Sequence, residues 1–311
     1  MRYIFPKGCR VLARLVGAMM PRPLAGCPTL QSNLAQDECV AQPFLLFALL
    51  VATVLLSACT VPSMGRSTVE PSAATRASLA PTGRLRAAIN FGNPILASRD
   101  PASGEARGVS VDLALELGRR LGVPVELVQY AAAGKVVEAI GTEAWDVGFF
   151  AIDPVRAADI DFTPPYVVIE GSYLVPNDSS IARNDEVDRE GVRVVVGRGS
   201  AYDLYLTREL RHAKLVRTAT SPAVSDLMVA NKLEVAAGVK QQLEADTKRI
   251  PDVHVLSGRF MVINQAMAIP RGRDPSGAVY LSQFVQEMKA SGFIAWELQH
   301  HGIEGAAVAP P

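Results

Sequence analysis

Cysteine is missing from the whole of the chain after residue 59. All four cysteines, Cys9, Cys27, Cys39 and Cys59, lie in the amino-terminal segment. A disulfide framework is therefore excluded for the remainder of the chain, which must fold on its apolar core alone.

An excess of charge of either sign is also missing. The 31 basic and 31 acidic residues balance, with a formal net charge of +0. A nucleic-acid-binding domain usually carries a basic excess, so the composition does not predict a nucleic-acid partner. With 311 residues and 49% hydrophobic content, the chain can bury one large core or two smaller ones.

Patterns typical of catalysis or metal binding are scarce. The four histidines, His212, His254, His300 and His301, lie away from the motifs described below, and no His/Glu spacing is typical of a metal site. The glycine-rich stretches match neither a Walker nor a dinucleotide pattern, and Ser200 has no evident base partner. The sequence therefore predicts no metal, no cofactor and no enzymatic activity.

The uncharged apolar segment 44–58 is short for a membrane-spanning helix and ends in Leu56-Ser57-Ala58-Cys59. This ending resembles the bacterial lipobox, which implies cleavage before Cys59, a lipid on its sulfur and an extracytoplasmic, membrane-anchored protein. The alternative is a signal anchor or a buried helix. We interpret residues 1–59 as the leader and the Ser/Thr/Ala/Pro-rich residues 60–81 as a flexible tether, with an ordered arm as the alternative.

Strand and helix patterns alternate from residue 82 onward, in two series separated by long extended runs at 167–175 and 260–269. Repeated strand-helix-strand units predict an α/β fold with parallel strands and right-handed crossovers. The predicted strands are 85–90, 125–130, 145–150, 193–197, 215–217 and 234–238, and the predicted helices are 109–121, 136–140, 201–210, 222–233 and 280–298.

The stretch Trp145–Tyr166 contains the motif that organises the chain. Its apolar strand stops at Asp153-Pro154, and Arg156 follows just beyond the carboxyl end, where open α/β sheets bind ligands. The order of acid, apolar strand, Pro, Arg and then Asp-Phe-Thr-x-Pro-Tyr resembles type II periplasmic solute-binding proteins of family 3, the substrate-binding subunits of polar amino-acid ABC importers. The resemblance covers residues 82–303, with support at 85–91, 108–114, 121–126 and 191–200.

The resemblance implies a two-lobed, periplasmic-binding-protein-like type II fold with two hinge strands and a ligand cleft between the lobes. Lobe 1 is expected to comprise 82–170 and 269–303, lobe 2 is expected at 171–268, and 304–311 form a tail. Such a protein closes on its ligand by a hinge motion. The implied partners are a small solute and the membrane permease of an ABC importer, and the implied state is a monomer.

Two motifs are predicted to bind a carboxylate. In the family the residue corresponding to Arg156 grips the ligand carboxylate, for which its planar fork is suited; the alternative is an ion pair within the protein. The turn at Gly199-Ser200 combines backbone N–H groups and a hydroxyl at a predicted helix start, a favourable site for an anion. Ser200 is alternatively an ordinary helix cap.

The sequence departs from the family pattern at two places. Asp153 stands where Thr is usual and either binds a ligand ammonium or amide, or neutralises Arg156. Val239 replaces the Asp that holds the α-ammonium in many amino-acid binders, which weakens the case for an ordinary α-amino acid. Lys240, next to it, is suited to an acceptor group on the ligand or simply begins a solvated helix.

Three more residues are expected at the edge of the cleft. Asn90 and Phe91 end the first predicted strand, and Tyr202 follows the turn at residue 200. Phe91 and Tyr202 form either a wall of the ligand site or part of the core.

The resemblance implies the substrate-binding component of an ABC importer for a small carboxylate-bearing solute, an amino acid or a derivative. One alternative is a secreted enzyme resembling cyclohexadienyl dehydratase, in which a carboxylate such as that of Asp153 performs acid–base chemistry. The other is a periplasmic sensor or accessory module.

Overall fold

The computed structural model describes residues 70–311. The predicted leader with Cys59 and residues 60–69 of the predicted tether lie outside the described residues. Within 70–311, no helix combines the length and the apolar character needed to cross a bilayer. The helices of this part are α1 (Ala73–Leu79), α2 (Val109–Leu121), α3 (Ala133–Glu138), α4 (Ala201–Glu209), α5 (Val224–Ala230), α6 (Lys240–Thr247), α7 (Pro275–Ala290) and α8 (Phe293–His300).

The strands of the described part form one mixed sheet and a separate short hairpin, β2 with β3. The order along the main sheet is β4-β1-β5-β12-β7-β10-β8-β9. The strands are β1 (Leu85–Asn90), β2 (Ser98–Arg99), β3 (Ala106–Arg107), β4 (Val125–Tyr130), β5 (Val147–Ala151), β6 (Ile160–Phe162), β7 (Val167–Pro176), β8 (Arg193–Gly197), β9 (Lys214–Thr218), β10 (Val235–Val239), β11 (Val253–Val255), β12 (Met261–Pro270) and β13 (Ala307–Val308).

Two groups of parallel strands lie on either side of the long strands β7 and β12. In the first group β1 pairs in parallel with β4 and β5, and in the second β8 pairs in parallel with β9 and β10. We call the first group with its helices lobe 1 and the second lobe 2. The lobes are joined because β12 pairs with β5 through residues 265–268 and with β7 through 261–265, while β7 pairs with β10 through 171–174. The predicted two-lobed α/β fold with two hinge strands is confirmed.

Helix α2 shows how the local sequence positions an element of lobe 1. Val109, Leu113, Leu117 and Leu121 recur every four residues and are all buried, so one helical stripe faces the sheet. The helix ends at Gly122, whose φ of 69° lies in the left-handed region that glycine adopts readily.

The prediction of a flexible tether is wrong for residues 73–79, which form α1. The hydroxyl of Ser72 accepts a hydrogen bond from the Thr75 N–H and caps the helix, and Leu79 is completely buried. Alanines, which favour a helix, and one deeply buried leucine are enough to order this segment against lobe 1. The Ser/Thr/Ala/Pro-rich composition of residues 60–81 did not indicate this helix.

The predicted tail also contains structure. Residues Ala307–Val308 form β13, which pairs with Val168 and Val167 of the hinge strand β7, and Ala309 is buried. A two-residue strand carries no periodic signal, because its ordering depends on an edge of β7 that is distant in sequence.

Candidate functional site

A cavity of about 40 Å³ lies between the lobes, where strands of both lobes end. Asn90 ends β1, Ala151 ends β5 and Val239 ends β10, while Ser200 and Ser221 follow β8 and β9. The carboxyl ends of parallel strands are where α/β sheets bind their ligands. The remaining wall residues are Gly92, Asn93, Leu96, Ser110, Ala133, Phe149, Phe150, Arg156, Ala201, Tyr202, Ile263 and Gln265.

Arg156 is a buried cation in the wall of this cavity, with 3% of its surface exposed. Nη1 donates to the Ala151 carbonyl of lobe 1 at 2.9 Å, and Nη2 donates to the Gly199 carbonyl of lobe 2 at 2.8 Å. Its Nε is buried and has no hydrogen-bond partner within the described part of the chain. Burial lowers the pKa of Arg156 to about 10, although the negative charge of Asp153 acts in the opposite direction.

Asp153 is buried close to Arg156 but is engaged elsewhere. One carboxylate oxygen accepts the Val155 N–H at 2.9 Å, and the other accepts from Nη2 of Arg208 in lobe 2 at 2.9 Å. Residues 70–311 contain no ion pair to Arg156 within 4.0 Å. The guanidinium is thus a buried positive charge without a directly paired carboxylate in the described part of the chain.

The polar groups of the turn before α4 form hydrogen bonds within the protein. The Ser200 hydroxyl accepts from the Asp203 N–H and caps the helix, as the alternative interpretation stated. The Gly199 N–H donates to the Asp203 carboxylate, and the Ser200 N–H donates to the Gly197 carbonyl. Ser200 lines the cavity, and Gly199 contacts Arg156 through its carbonyl. Ligand binding by this pair stays a prediction.

Asn90 and Tyr202 also line the cavity, as their place in the sequence suggested. The Asn90 side-chain oxygen accepts the Gly92 N–H, which shapes the loop after β1. Tyr202 is buried, and burial raises its pKa to about 12.

Four residues predicted at the site lie outside the described wall of the cavity: Gly199, treated above, and Phe91, Asp153 and Lys240. The Phe91 ring lies 4.5 Å from the Arg99 guanidinium. Lys240 begins α6, but its Nζ lies 3.3 Å from the Glu170 carboxylate on the hinge strand β7. Ligand binding by Phe91, Asp153 and Lys240 stays a prediction.

Two amide side chains in the wall escaped the sequence analysis. Asn93 lies in the loop after β1, and its Oδ1 is buried with no donor in the described part of the chain. Gln265 lies on β12 and is 6% exposed. The pair Asn264-Gln265 interrupts the apolar run 261–269 and was the available signal for Gln265, because a strand side chain buried in a core is normally apolar.

The lobes contact each other directly in this structure. The Arg156 bond to the Gly199 carbonyl and the Asp153–Arg208 ion pair both cross between them. Backbone also meets backbone, because a Cβ added to Gly199 would lie 2.8 Å from Cα of Gly134 in lobe 1. These contacts define a closed arrangement around the small cavity.

A second polar cluster joins α2 to α8 in lobe 1. His301 Nε2 lies 2.6 Å from the Asp112 carboxylate and 3.7 Å from that of Glu297, and the three polar atoms lie within 4.8 Å of one another. This group has no local signal in the sequence, because Asp112 lies 189 residues from His301. Burial, with Asp112 as the adjacent carboxylate, raises the pKa of Glu297 from its ordinary 4.5 to about 7.

This raised pKa predicts that the protein loses stability as the pH rises. The folded state holds the Glu297 proton more tightly than the unfolded state, so its contribution is complete below about pH 4.5 and is lost through about pH 7. We expect unfolding free energies from urea titrations to fall by about 1–3 kcal/mol between about pH 4.5 and 8 on this account.

Glu297→Gln should flatten this dependence, since its amide resembles the protonated acid. The exposed Glu304→Gln serves as the matched control and should keep the wild-type slope. Equal slopes for wild type and Glu297→Gln would contradict the assignment.

Two α/β lobes, two connecting strands and an interlobe cavity define a periplasmic-binding-protein fold. Residues 85–299 match the family model of bacterial extracellular solute-binding proteins, family 3, and the chain belongs to this family. No curated protein sequence matches the chain.

Solved structures with the same fold share little sequence with this chain. An ancestral amino acid-binding protein, AncCDT-1, described as a precursor of cyclohexadienyl dehydratase, is 22% identical, with a TM-score of 0.62 over 73% of this chain and 99% of that one. A putative binding component of an ABC transporter from Wolinella succinogenes, complexed with lysine, is 21% identical, with a TM-score of 0.61 over 70% and 95%. A histidine kinase sensor domain is 19% identical, with a TM-score of 0.62 over 73% and 98%. At these identities the likeness shows the fold alone.

Proposed function

We propose that the protein is the extracytoplasmic substrate-binding component of an ABC importer and that it closes its lobes on a small carboxylate-bearing solute. The observation that carries this proposal is the state of Arg156, a cation in the interlobe cavity with no ion pair in the described part of the chain. A buried charge without a partner is costly, and a ligand carboxylate would compensate it.

The placement of Arg156 also connects ligand binding to closure. Its side chain begins in lobe 1 and already contacts the backbone of lobe 2 at Gly199. A carboxylate accepting from the buried Nε–H would be bound where both lobes meet, so the ligand stabilises the closed arrangement over an open one. A closed lobe pair is the state that a membrane permease partner would recognise.

The remaining parts of the proposal rest on the amino-terminal sequence and on the family. Cleavage before Cys59 and lipidation of its sulfur would anchor a monomeric binding protein at the outer face of the membrane. Family 3 proteins are extracellular solute-binding proteins, which agrees with that location.

The enzyme alternative has less support from the site. No Asp or Glu is among the described residues of the cavity wall, and Asp153 is held by Arg208 and by a backbone N–H. A carboxylate acting as general acid or base would have to reach its substrate. The sensor alternative shares the fold with one solved neighbour, and no specific observation favours it.

A thermal-shift screen of the purified protein tests the proposal. The panel contains amino acids, their amides, and small hydroxy, oxo and simple organic acids. A ligand at a hundredfold excess over its dissociation constant stabilises the native state by about 2.7 kcal/mol, which shifts the unfolding temperature measurably. We expect shifts from carboxylates only. Absence of any shift with every carboxylate would refute the proposed ligand class, and turnover of a shifting compound would favour the enzyme.

A further inference from the structure

We infer that the cavity selects a small monocarboxylate that lacks an α-ammonium group, of the 2-hydroxy or 2-oxo acid class, over the corresponding α-amino acid. The inference rests on the proposed function and narrows its ligand. It follows from the charges, the unpaired polar atoms and the size of the interlobe cavity.

The charge of the cavity wall is positive. Among its described residues Arg156 is the one charged side chain, and no Asp or Glu is present. A bound monocarboxylate would neutralise this charge. A zwitterionic amino acid would bring a second cation into the same closed space with nothing to compensate it.

The nearest carboxylates in the described part are already paired. Asp153 accepts from Arg208 and the Val155 N–H. Asp203, in the first turn of α4, accepts from Arg217 and from the Gly199 N–H. Recruiting either one to an ammonium would break an existing ion pair and leave another cation unpaired.

The neutral groups of the wall fit a hydroxyl or carbonyl better than an ammonium. Asn93 Oδ1 has no donor in the described part, and Ser221 and the amide of Gln265 also face the cavity. These groups can accept a hydrogen bond from a 2-hydroxyl and donate one to it. They can also donate a hydrogen bond to a 2-oxo group. They satisfy an ammonium's hydrogen bonds, but its charge stays uncompensated close to Arg156.

The volume limits the size of the ligand in this closed arrangement. The cavity measures about 40 Å³, far below the roughly 300–1,000 Å³ of pockets that hold drug-sized ligands. Small acids are therefore expected as ligands, and those of two or three carbons are the first to test.

Val239 provides a way to reverse the preference. It lines the cavity at the end of β10 and occupies the N-cap position of α6 with extended backbone and no side-chain capping bond. Asp and Asn are both favoured at such a position, so either can replace Val239 without opposing the start of the helix. Val239→Asp adds a carboxylate to the wall, and Val239→Asn adds a similar shape without the charge.

Isothermal titration calorimetry of the full protein at neutral pH tests the inference with matched pairs: L-lactate and pyruvate against L-alanine, and glycolate against glycine. We expect the acid without the ammonium to bind at least about tenfold more tightly in each pair. We expect Val239→Asp to reduce or reverse this ratio, and Val239→Asn to retain it.

The outcomes separate the inference from the proposed function. Equal or tighter binding of the amino acids by the wild type overturns the inference and leaves carboxylate capture intact. No binding of any carboxylate, including larger ones, removes both. If Val239→Asp fails to fold, the wild-type ratios decide the question alone.

Discussion

Replacing Arg156 with methionine is expected to lower the affinity for a carboxylate ligand at least about thirtyfold, because losing one partner of a buried charge pair typically costs about 2–5 kcal/mol. Arg156 is 3% exposed, lines the interlobe cavity and has an unpartnered Nε. No other cationic side chain is in the described wall to take its place. Isothermal titration calorimetry with the tightest ligand from the screen measures the effect.

The same substitution should leave the unliganded protein at least as stable as the wild type. Burial lowers the pKa of Arg156 to about 10, so at neutral pH the folded state bears a desolvation cost for the charged guanidinium. Methionine removes the charge and fills much of the space, although the hydrogen bonds to Ala151 and Gly199 are lost. Replacing a buried charge by an apolar side chain is often neutral or stabilising.

Two further variants separate charge from geometry. Arg156→Lys keeps the cation but not the planar fork, so an intermediate affinity is expected. Arg198→Met removes the same charge from an exposed side chain beside the turn at Gly199 and should bind like the wild type. A marked loss of unfolding temperature in Arg156→Met, with carboxylate affinity retained, would identify Arg156 as a structural link between the lobes instead of a ligand contact.

The elements that the sequence predicted best are those whose signal is local. The strand Arg193–Gly197 and the helix Val109–Leu121 have the predicted bounds, because each has an apolar run or stripe with glycine close to its ends. Arg156 was placed at the cleft for the same reason, since it follows the end of a buried strand. The closing helical region was predicted as one element but is two, α7 and α8, separated at Gly292, whose φ is 77°.

The parts that escaped the sequence depend on which distant groups meet. Lys240 was assigned to the ligand from its place after β10, yet Glu170, 70 residues away, lies beside its ammonium. Asp153 forms its ion pair with Arg208 in the opposite lobe, and the cluster at Glu297 depends on Asp112 in another helix. Local patterns predict which strand end a residue occupies, but pairing of charges depends on closure of the lobes and on tertiary contacts.

Closure itself is expected to fail when Gly134 is replaced by leucine. A Cβ at residue 134 of α3 would lie 3.3 Å from the Arg198 carbonyl oxygen and 3.4 Å from Cα of Gly199, both in lobe 2. Alanine is therefore barely accommodated, and the three further carbons of leucine have to displace the opposing backbone. Overpacking costs about 1–3 kcal/mol, which corresponds to roughly 5- to 150-fold in ligand affinity if it is relieved by opening the lobes.

The Gly134 variant distinguishes an effect on closure from an effect on folding. Leucine in place of glycine favours a helix by up to about 1 kcal/mol, so α3 and lobe 1 should fold normally. Gly141→Leu is the matched control in the same lobe, because nothing lies within 4 Å of an added Cβ there. Small-angle X-ray scattering should show ligand-induced compaction for the wild type and Gly141→Leu but not for Gly134→Leu. If Gly134→Leu compacts and binds like the wild type, the close approach of Gly134 to Gly199 does not control closure, and the lobes must meet in another arrangement.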